Sequence, residues 1–378
     1  MELSGQSEGS AILREMIHFN RRAYAGWALA ICTVFVAMPV RGDDSAAAVG
    51  AGGLVARRET RVAMAKEVLK ISPSKVVVDY DFWNDTDEDV TTEVAFPIPP
   101  YEHGPDEWPA EKTSFSDFRL TVDGEPVKYQ AESRAFLKGK EITGVLNADR
   151  IDIATFGHYD WKKDRAPEFA RLPNAEQSRL VKLGLFDSDE PWGNWTVHLQ
   201  YHWTQVFPAK STVHIRHEYT PIQGFEMMPR ATIRKALHEP LLAGDPEVDA
   251  TYGAEDAKLL GSFCPEPRFL KSLERSMTSA QVEDAAYGHP HWVDFILTSA
   301  NTWKQPIKDF TLTVEREAQR AGESRTMVSF CSPERAEVQK IDAEHFQVHL
   351  TNLVPKAELR IGFFDVPDVK AANSSSVK

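Results

Sequence analysis

A mainly β fold, built as antiparallel β-sandwich-like units with helical insertions, is predicted by three observations. Stretches of alternating apolar and polar residues recur with the period of two that half-buried strands require. Clusters of Asn, Asp, Gly and Pro separate these stretches at short spacing. Only residues 160–190 and 230–286 lose the alternation and carry helical signals. Composition agrees with a globular chain: 42% of the 378 residues are hydrophobic and 26% charged, which argues against coiled coil, collagen-like repeat and disorder throughout. Forty-three Lys and Arg against 56 Asp and Glu give a net charge of −13, so no basic footprint for nucleic acid is expected.

The elements follow in order. Lys75–Asn84 (KVVVDYDFWN) is rich in β-branched and aromatic residues, with Val76, Val78, Tyr80 and Phe82 on one face. Asn84–Asp87 is a turn cluster, and Val90–Phe96 resumes an extended pattern that Pro97, Pro99 and Pro100 stop. Phe118–Val122, the turn Asp123-Gly124 and Val127–Ala131 predict a hairpin. A helix begins near Asn174. Trp195, Val197, Leu199, Tyr201 and Trp203 then alternate with polar residues, and Val213, Ile215, His217 and Tyr219 form the inward set of the next strand. Helical stretches fall at 254–260 and 267–275, and strands return at 292–298, 310–315, 326–330, 345–350 and 359–364. This divides the chain into a signal peptide (1–42), an amino-terminal sandwich (43–159), a helical insertion or connector (160–190), a carboxy-terminal β-rich domain (191–369) and a disordered tail (370–378).

Export is expected from the amino terminus. Arg21-Arg22 precedes an apolar run from Trp27 to Met38, broken only by Thr33. Twelve residues fall short of the about 20 that span a bilayer, and a basic flank, short apolar core and small residues mark a secretory signal. Cleavage after Gly42, with Val40 at the other key position, would leave a periplasmic chain without an integral span. Met16 is a candidate start. Lipidation at Cys32 is disfavoured by bulky Ile31, and the flanks of Arg21-Arg22 match a twin-arginine signal poorly. Beyond the signal only Cys264 and Cys331 remain, an even pair in an oxidising compartment, so a disulfide is expected.

Several motifs resemble the bacterial domain-of-unknown-function family 4424. They include Gly52-Gly53-Leu54, Tyr80-x-Phe82-x-Asn84, Val94-Ala95-Phe96-Pro97-Ile98-Pro99, Trp203-x-Gln205-x-Phe207-Pro208, His217-x-Tyr219-x-Pro221 and Asn301-x-Trp303-x-x-Pro306-Ile307. The resemblance covers nearly all of the chain after the signal and departs mainly in 230–290. It implies an exported bacterial protein and no established reaction. The amino-terminal half also resembles, more loosely, the VIT domain of inter-alpha-trypsin inhibitor proteins, which implies an interaction role.

Candidate site residues are few. An inward His217 must find a polar partner, since an unmet buried group costs about 1–3 kcal/mol; Tyr219 and Gln205 are candidates, and together they suggest a polar anchor in a binding cleft. Trp108, between Glu107 and Pro109, is a candidate exposed ring. His198 and His202 share a strand face but lie about 13 Å apart, too far to chelate one ion. His289-x-His291 has workable spacing, but Pro290 suggests a loop or edge, and no neighbouring carboxylate cluster completes a metal set. There is no GxSxG elbow and no phosphate-cradling loop. Asp187, Asp189 and Glu190 read as a solvated turn. No catalytic residue, metal or cofactor is therefore expected. The expected function is binding or scaffolding in the cell envelope, with an unknown envelope protein or glycan as partner; the alternative is a hydrolase of envelope glycans or glycoconjugates.

Overall fold

The computed structural model describes residues 45–50, 53–104, 107–108, 117–160, 165–187, 192–242, 245, 250–279, 287–317 and 325–366. The expected signal peptide and tail lie outside them. In chain order the first strands are β1 (Ser45–Gly50), β2 (Gly53–Ala56), β3 (Val62–Ile71), β4 (Val76–Asn84) and β5 (Val90–Pro97). They are followed by β6 (Glu107–Trp108), β7 (Arg119–Val122), β8 (Glu125–Pro126), β9 (Gln130–Leu137) and β10 (Lys140–Glu141). Helices α1 (Thr143–Ala148), α2 (Pro167–Ala170) and α3 (Asn174–Lys182) lead to β11 (Thr196–Phe207), β12 (Ser211–Tyr219), β13 (Gln223–Phe225) and β14 (Met228–Pro229). Helices α4 (Arg230–Ala236), α5 (Ala250–Ser262) and α6 (Pro267–Ser279) precede β15 (Tyr287–Phe295), β16 (Ile307–Glu315), β17 (Arg325–Phe330), β18 (Gln339–Lys340), β19 (His345–Leu353) and β20 (Leu359–Val366).

These strands form three sheets. The first runs β10-β9-β11-β5-β1-β2, the second β18-β19-β16-β3-β4-β12-β7-β8, and the third β17-β20-β15-β13-β6, with β14 also on β15. The alternation in β4 sets its faces: Val76, Val78, Tyr80 and Phe82 are all 0% exposed, whereas Trp83 on the other face is 36% exposed. The inner faces of the first and second sheets meet ring to ring. Phe118 stacks on Tyr201 at 3.9 Å, and Phe82 meets Phe207 at 5.6 Å. Burial of such rings is the main favourable term in folding.

The third sheet has two different faces. Val293, Phe295, Ile361 and Phe363 join the core shared with the other sheets. Their alternating neighbour Phe364 faces the helices instead, packing with Val366, Phe263, Leu270, Leu273 and Met277. Gly362 permits this: a Cβ there would lie 2.6 Å from Phe263 Cδ1. The expected disulfide is formed between Cys264 and Cys331, with Cα atoms 4.9 Å apart. It ties the α5–α6 junction to the end of β17.

Two features go beyond the sequence reading. Strand β3 pairs in parallel with β16, Phe310 lying opposite Glu67. Such pairing is non-local and leaves no signature in either strand. The expected hairpin after Phe118 turns at Asp123 and Gly124, whose φ values are 51° and 85°. It closes over two pairs only, Thr121–Pro126 and Val122–Glu125. Val127 N donates once more across the hairpin, to the Leu120 carbonyl at 3.1 Å, and the chain then crosses to β9 in the first sheet.

Candidate functional site

The residues singled out by sequence do not converge on one cleft. His217 is 0% exposed. It sits in an aromatic box, with Phe96 at 4.7 Å, Phe118 and Trp203 at 5.4 Å and Tyr80 at 5.7 Å between ring centres. Gln205 is committed elsewhere: its Oε1 accepts from Trp203 Nε1 at 3.2 Å and its Nε2 donates to the Val206 carbonyl at 2.7 Å. Tyr219 is buried, which raises its phenol pKa, and lines a dimple with Ile98, Pro100, Tyr101 and Trp292. That dimple holds about 30 Å³, room for a water rather than an organic ligand. Trp108 pairs its backbone with Gln223 at the edge of the third sheet, and its side chain lies outside what the structure describes.

A different place gathers chemistry. Where the inner face of the third sheet runs past the shared core, a groove of about 520 Å³ opens, lined by Pro73, Ser74, Gln223, Phe225, His289, His291, Glu317 and Asp365. Strand β15 supplies both histidines to one face, since they are two residues apart. It lies inside the sheet, between β20 and β13. Pro290 is tolerated because its non-ladder side faces the gap between β13 and β14, where its carbonyl accepts from Glu226 N at 3.1 Å. Across the sheet, Asp365 is in register with His289, and Phe363 with His291.

The groove is ordered by side-chain contacts. His289 stacks on Phe225 at 6.0 Å, with the rings 11° from parallel. His291 stacks on Phe363 at 5.5 Å and 14°. Thr326 Oγ1 donates to Asp365 Oδ1 at 2.7 Å, which leaves Oδ2 toward His291, 3.7 Å from its Nδ1. Burial pulls the His291 pKa below its ordinary value, and Asp365 and Glu317 oppose that shift. The carboxylates of Asp365 and Glu317 bring negative charge into the groove. Sequence reading saw the two histidines, but Asp365 and Glu317 come from distant segments that carry no motif of their own.

Two other titratable clusters have structural roles. His103 is 0% exposed and donates from Nε2 to the Ile153 carbonyl at 3.2 Å. Trp195 Nε1 and Tyr101 Oη donate to the carbonyls of Ile153 and Ala154, both at 3.0 Å, so together they clamp this segment. Burial, helped by His158, pushes the His103 pKa down to about 3. Asp342, Glu344 and His345 lie close together in a turn, where Asp342 Oδ1 accepts from the backbone N–H of Glu344 and His345 at 2.8 Å. That carboxylate is used to cap the turn.

A layered β protein with a polar, aromatic-floored groove at the rim of one sheet is the class these features define. Residues 42–361 match the family described as domain of unknown function DUF4424, and the chain belongs to it. No functionally curated protein matches the sequence. Among solved structures, a candidate nutrient-binding protein from Legionella pneumophila is similar at 14% identity and a TM-score of 0.39, over 86% of this chain and 71% of that one. An M1 zinc metallopeptidase from Deinococcus radiodurans is similar at 6% identity and a TM-score of 0.26, over 81% of this chain and 43% of that one. The chain thus spans less than half of that metallopeptidase.

Proposed function

We propose that this chain is an exported, non-enzymatic binding protein of the bacterial cell envelope, and that the groove of the third sheet takes a sugar-sized envelope glycan. The carrying observation is the groove itself, which at about 520 Å³ falls in the range of small-ligand sites. Phe225 offers a ring for the apolar face of a sugar. Asp365, Glu317, Gln223 and the imidazoles offer hydrogen-bonding partners for hydroxyls. Export is supported by the apolar run Trp27–Met38 and by the Cys264–Cys331 bridge, which suits an oxidising compartment. The resemblance of the amino-terminal half to VIT domains is in line with a binding role.

The test is a thermal-shift screen of envelope saccharides on the wild type and on Phe225→Ala. A saccharide that raises the melting temperature of the wild type and not of the variant is the expected result; no shift across the panel, or equal shifts in both, overturns the groove as the site. Fractionation and amino-terminal sequencing check export, with a trimmed periplasmic product expected. A second reading, hydrolysis, is favoured by one observation: Asp365 and Glu317 share the groove with His291. Paired carboxylates in a cleft are what glycoside hydrolysis needs. Turnover of a screened saccharide, abolished in Glu317→Gln, would replace binding with that reading.

A further inference from the structure

We propose that His289, His291 and Asp365 form a divalent transition-metal site in the same groove, with one coordination position open toward Glu317 and solvent. The inference shares the groove with the function proposed above but rests on different atoms, the imidazole nitrogens and one carboxylate oxygen. Two imidazoles and a carboxylate suit zinc, cobalt or nickel rather than calcium or magnesium, which prefer all-oxygen shells.

Three observations carry it. The first is spacing. His289 and His291 are adjacent on one strand face, about 6.6 Å apart along the backbone, half the gap that rules out His198 with His202. The second is the cross-strand partner. Asp365 lies directly opposite His289 in the ladder. Its Oδ2 is 3.7 Å from His291 Nδ1, too long for a hydrogen bond. Two ligand atoms sharing one tetrahedral zinc sit about 3.4 Å apart, from bond lengths of about 2.0–2.2 Å. His291 and Asp365 are therefore already near chelating distance, whereas His289 is stacked on Phe225 and the three donors do not yet lie within 4.8 Å of one another, so its imidazole must swing off that ring when metal binds. The third is the supporting shell. Thr326 Oγ1 holds the other oxygen of Asp365 at 2.7 Å, and Phe363 fixes the plane of His291. Ligating carboxylates and imidazoles are commonly oriented by such outer contacts.

The experiment uses the full-length chain carrying Cys32→Ser, so that no free thiol competes. After chelator dialysis it is titrated with Zn²⁺ by calorimetry and with Co²⁺ by visible absorption. One equivalent should bind, with a cobalt spectrum of low symmetry. His291→Ala and His289→Ala should each weaken binding by at least about 100-fold, and Thr326→Val by about 10–100-fold. His345→Ala, in the exposed turn, should change nothing. Melting curves recorded in chelator confirm that the variants fold. No stoichiometric uptake by the wild type, or uptake unchanged in His289→Ala and His291→Ala, overturns the metal site. The outcome is separable from the glycan reading. A saccharide shift that persists in chelator without metal uptake removes the metal alone, whereas metal uptake with no saccharide response keeps the metal and removes the glycan.

Discussion

His217 and His291 both project from the inward face of a strand, and end in opposite environments. His217 is fully buried against four rings, Phe96, Phe118, Trp203 and Tyr80. Around His291 one side is the ring of Phe363, and the other opens to a groove with two carboxylates. The difference comes from where each strand runs out of partners. Strand β12 lies under the first sheet along its apolar stretch, while β15 passes beyond the shared core before it reaches His291 and His289. An inward histidine is thus part of the core or part of a site according to the layer opposite it.

Breaking the closed side should have the largest effects. His103 is a sealed histidine like His217, and its folded pKa of about 3 lies far below an ordinary imidazole. A depressed histidine pKa means that the unfolded chain binds the proton first. Stability therefore falls as pH drops from about 6.5 toward 3, by up to about 5 kcal/mol from this group if fully titrated. Acid unfolding should have a shallower slope against pH in His103→Gln. Phe96→Ala, which opens the box beside His217, should cost about 3–5 kcal/mol in denaturant unfolding. Phe225→Ala, on the groove floor, should cost only about 1 kcal/mol. Equal losses in the two variants would mean that the groove is ordinary core and would collapse the comparison.

The disulfide sharpens the contrast from the other side. It closes a separation of 67 residues and contributes about 4 kcal/mol in the chain-entropy picture. Because it joins the helices to β17, reduction should speed hydrogen exchange in β17 and β20 more than in β12. Within the groove, Asp365→Asn removes the nearest group that raises the His291 pKa, so an NMR titration should find that pKa lower than in the wild type. The smallest effect belongs on the solvent face of the second sheet. Arg216 pairs with Asp79 at 2.7 Å while 42% exposed, and Arg216→Ala should cost under about 1 kcal/mol.

Much of the local structure was legible. The inward sets of β4, β11 and β12 are buried as their alternation implies, and the buried turn residue Asn84 bonds Thr86 N at 3.0 Å and the carbonyls of Glu88 and Phe207 at 2.9 and 2.8 Å. Helix α4 was not legible, because it buries Arg230 and Arg234, and arginine is seldom buried unless it is paired. Their charges are met by Asp245 and Glu274 from elsewhere in the chain. Pro290 misled for a related reason: its missing N–H matters only if a ladder partner faces it, and here that strand is interrupted.

The sequence by itself determined which side of each long strand would be apolar, that two cysteines would be left to pair beyond the expected signal, and that two imidazoles would stand two residues apart. Those properties follow from the chain's own period and residue chemistry. Tertiary structure alone decided that β3 would lie beside β16, that Asp365 and Glu317 would reach the histidines, and which inward face would meet solvent. Each of these depends on residues far apart in the chain brought together by packing. No local pattern encodes a contact whose other half lies in a different sheet or a distant loop.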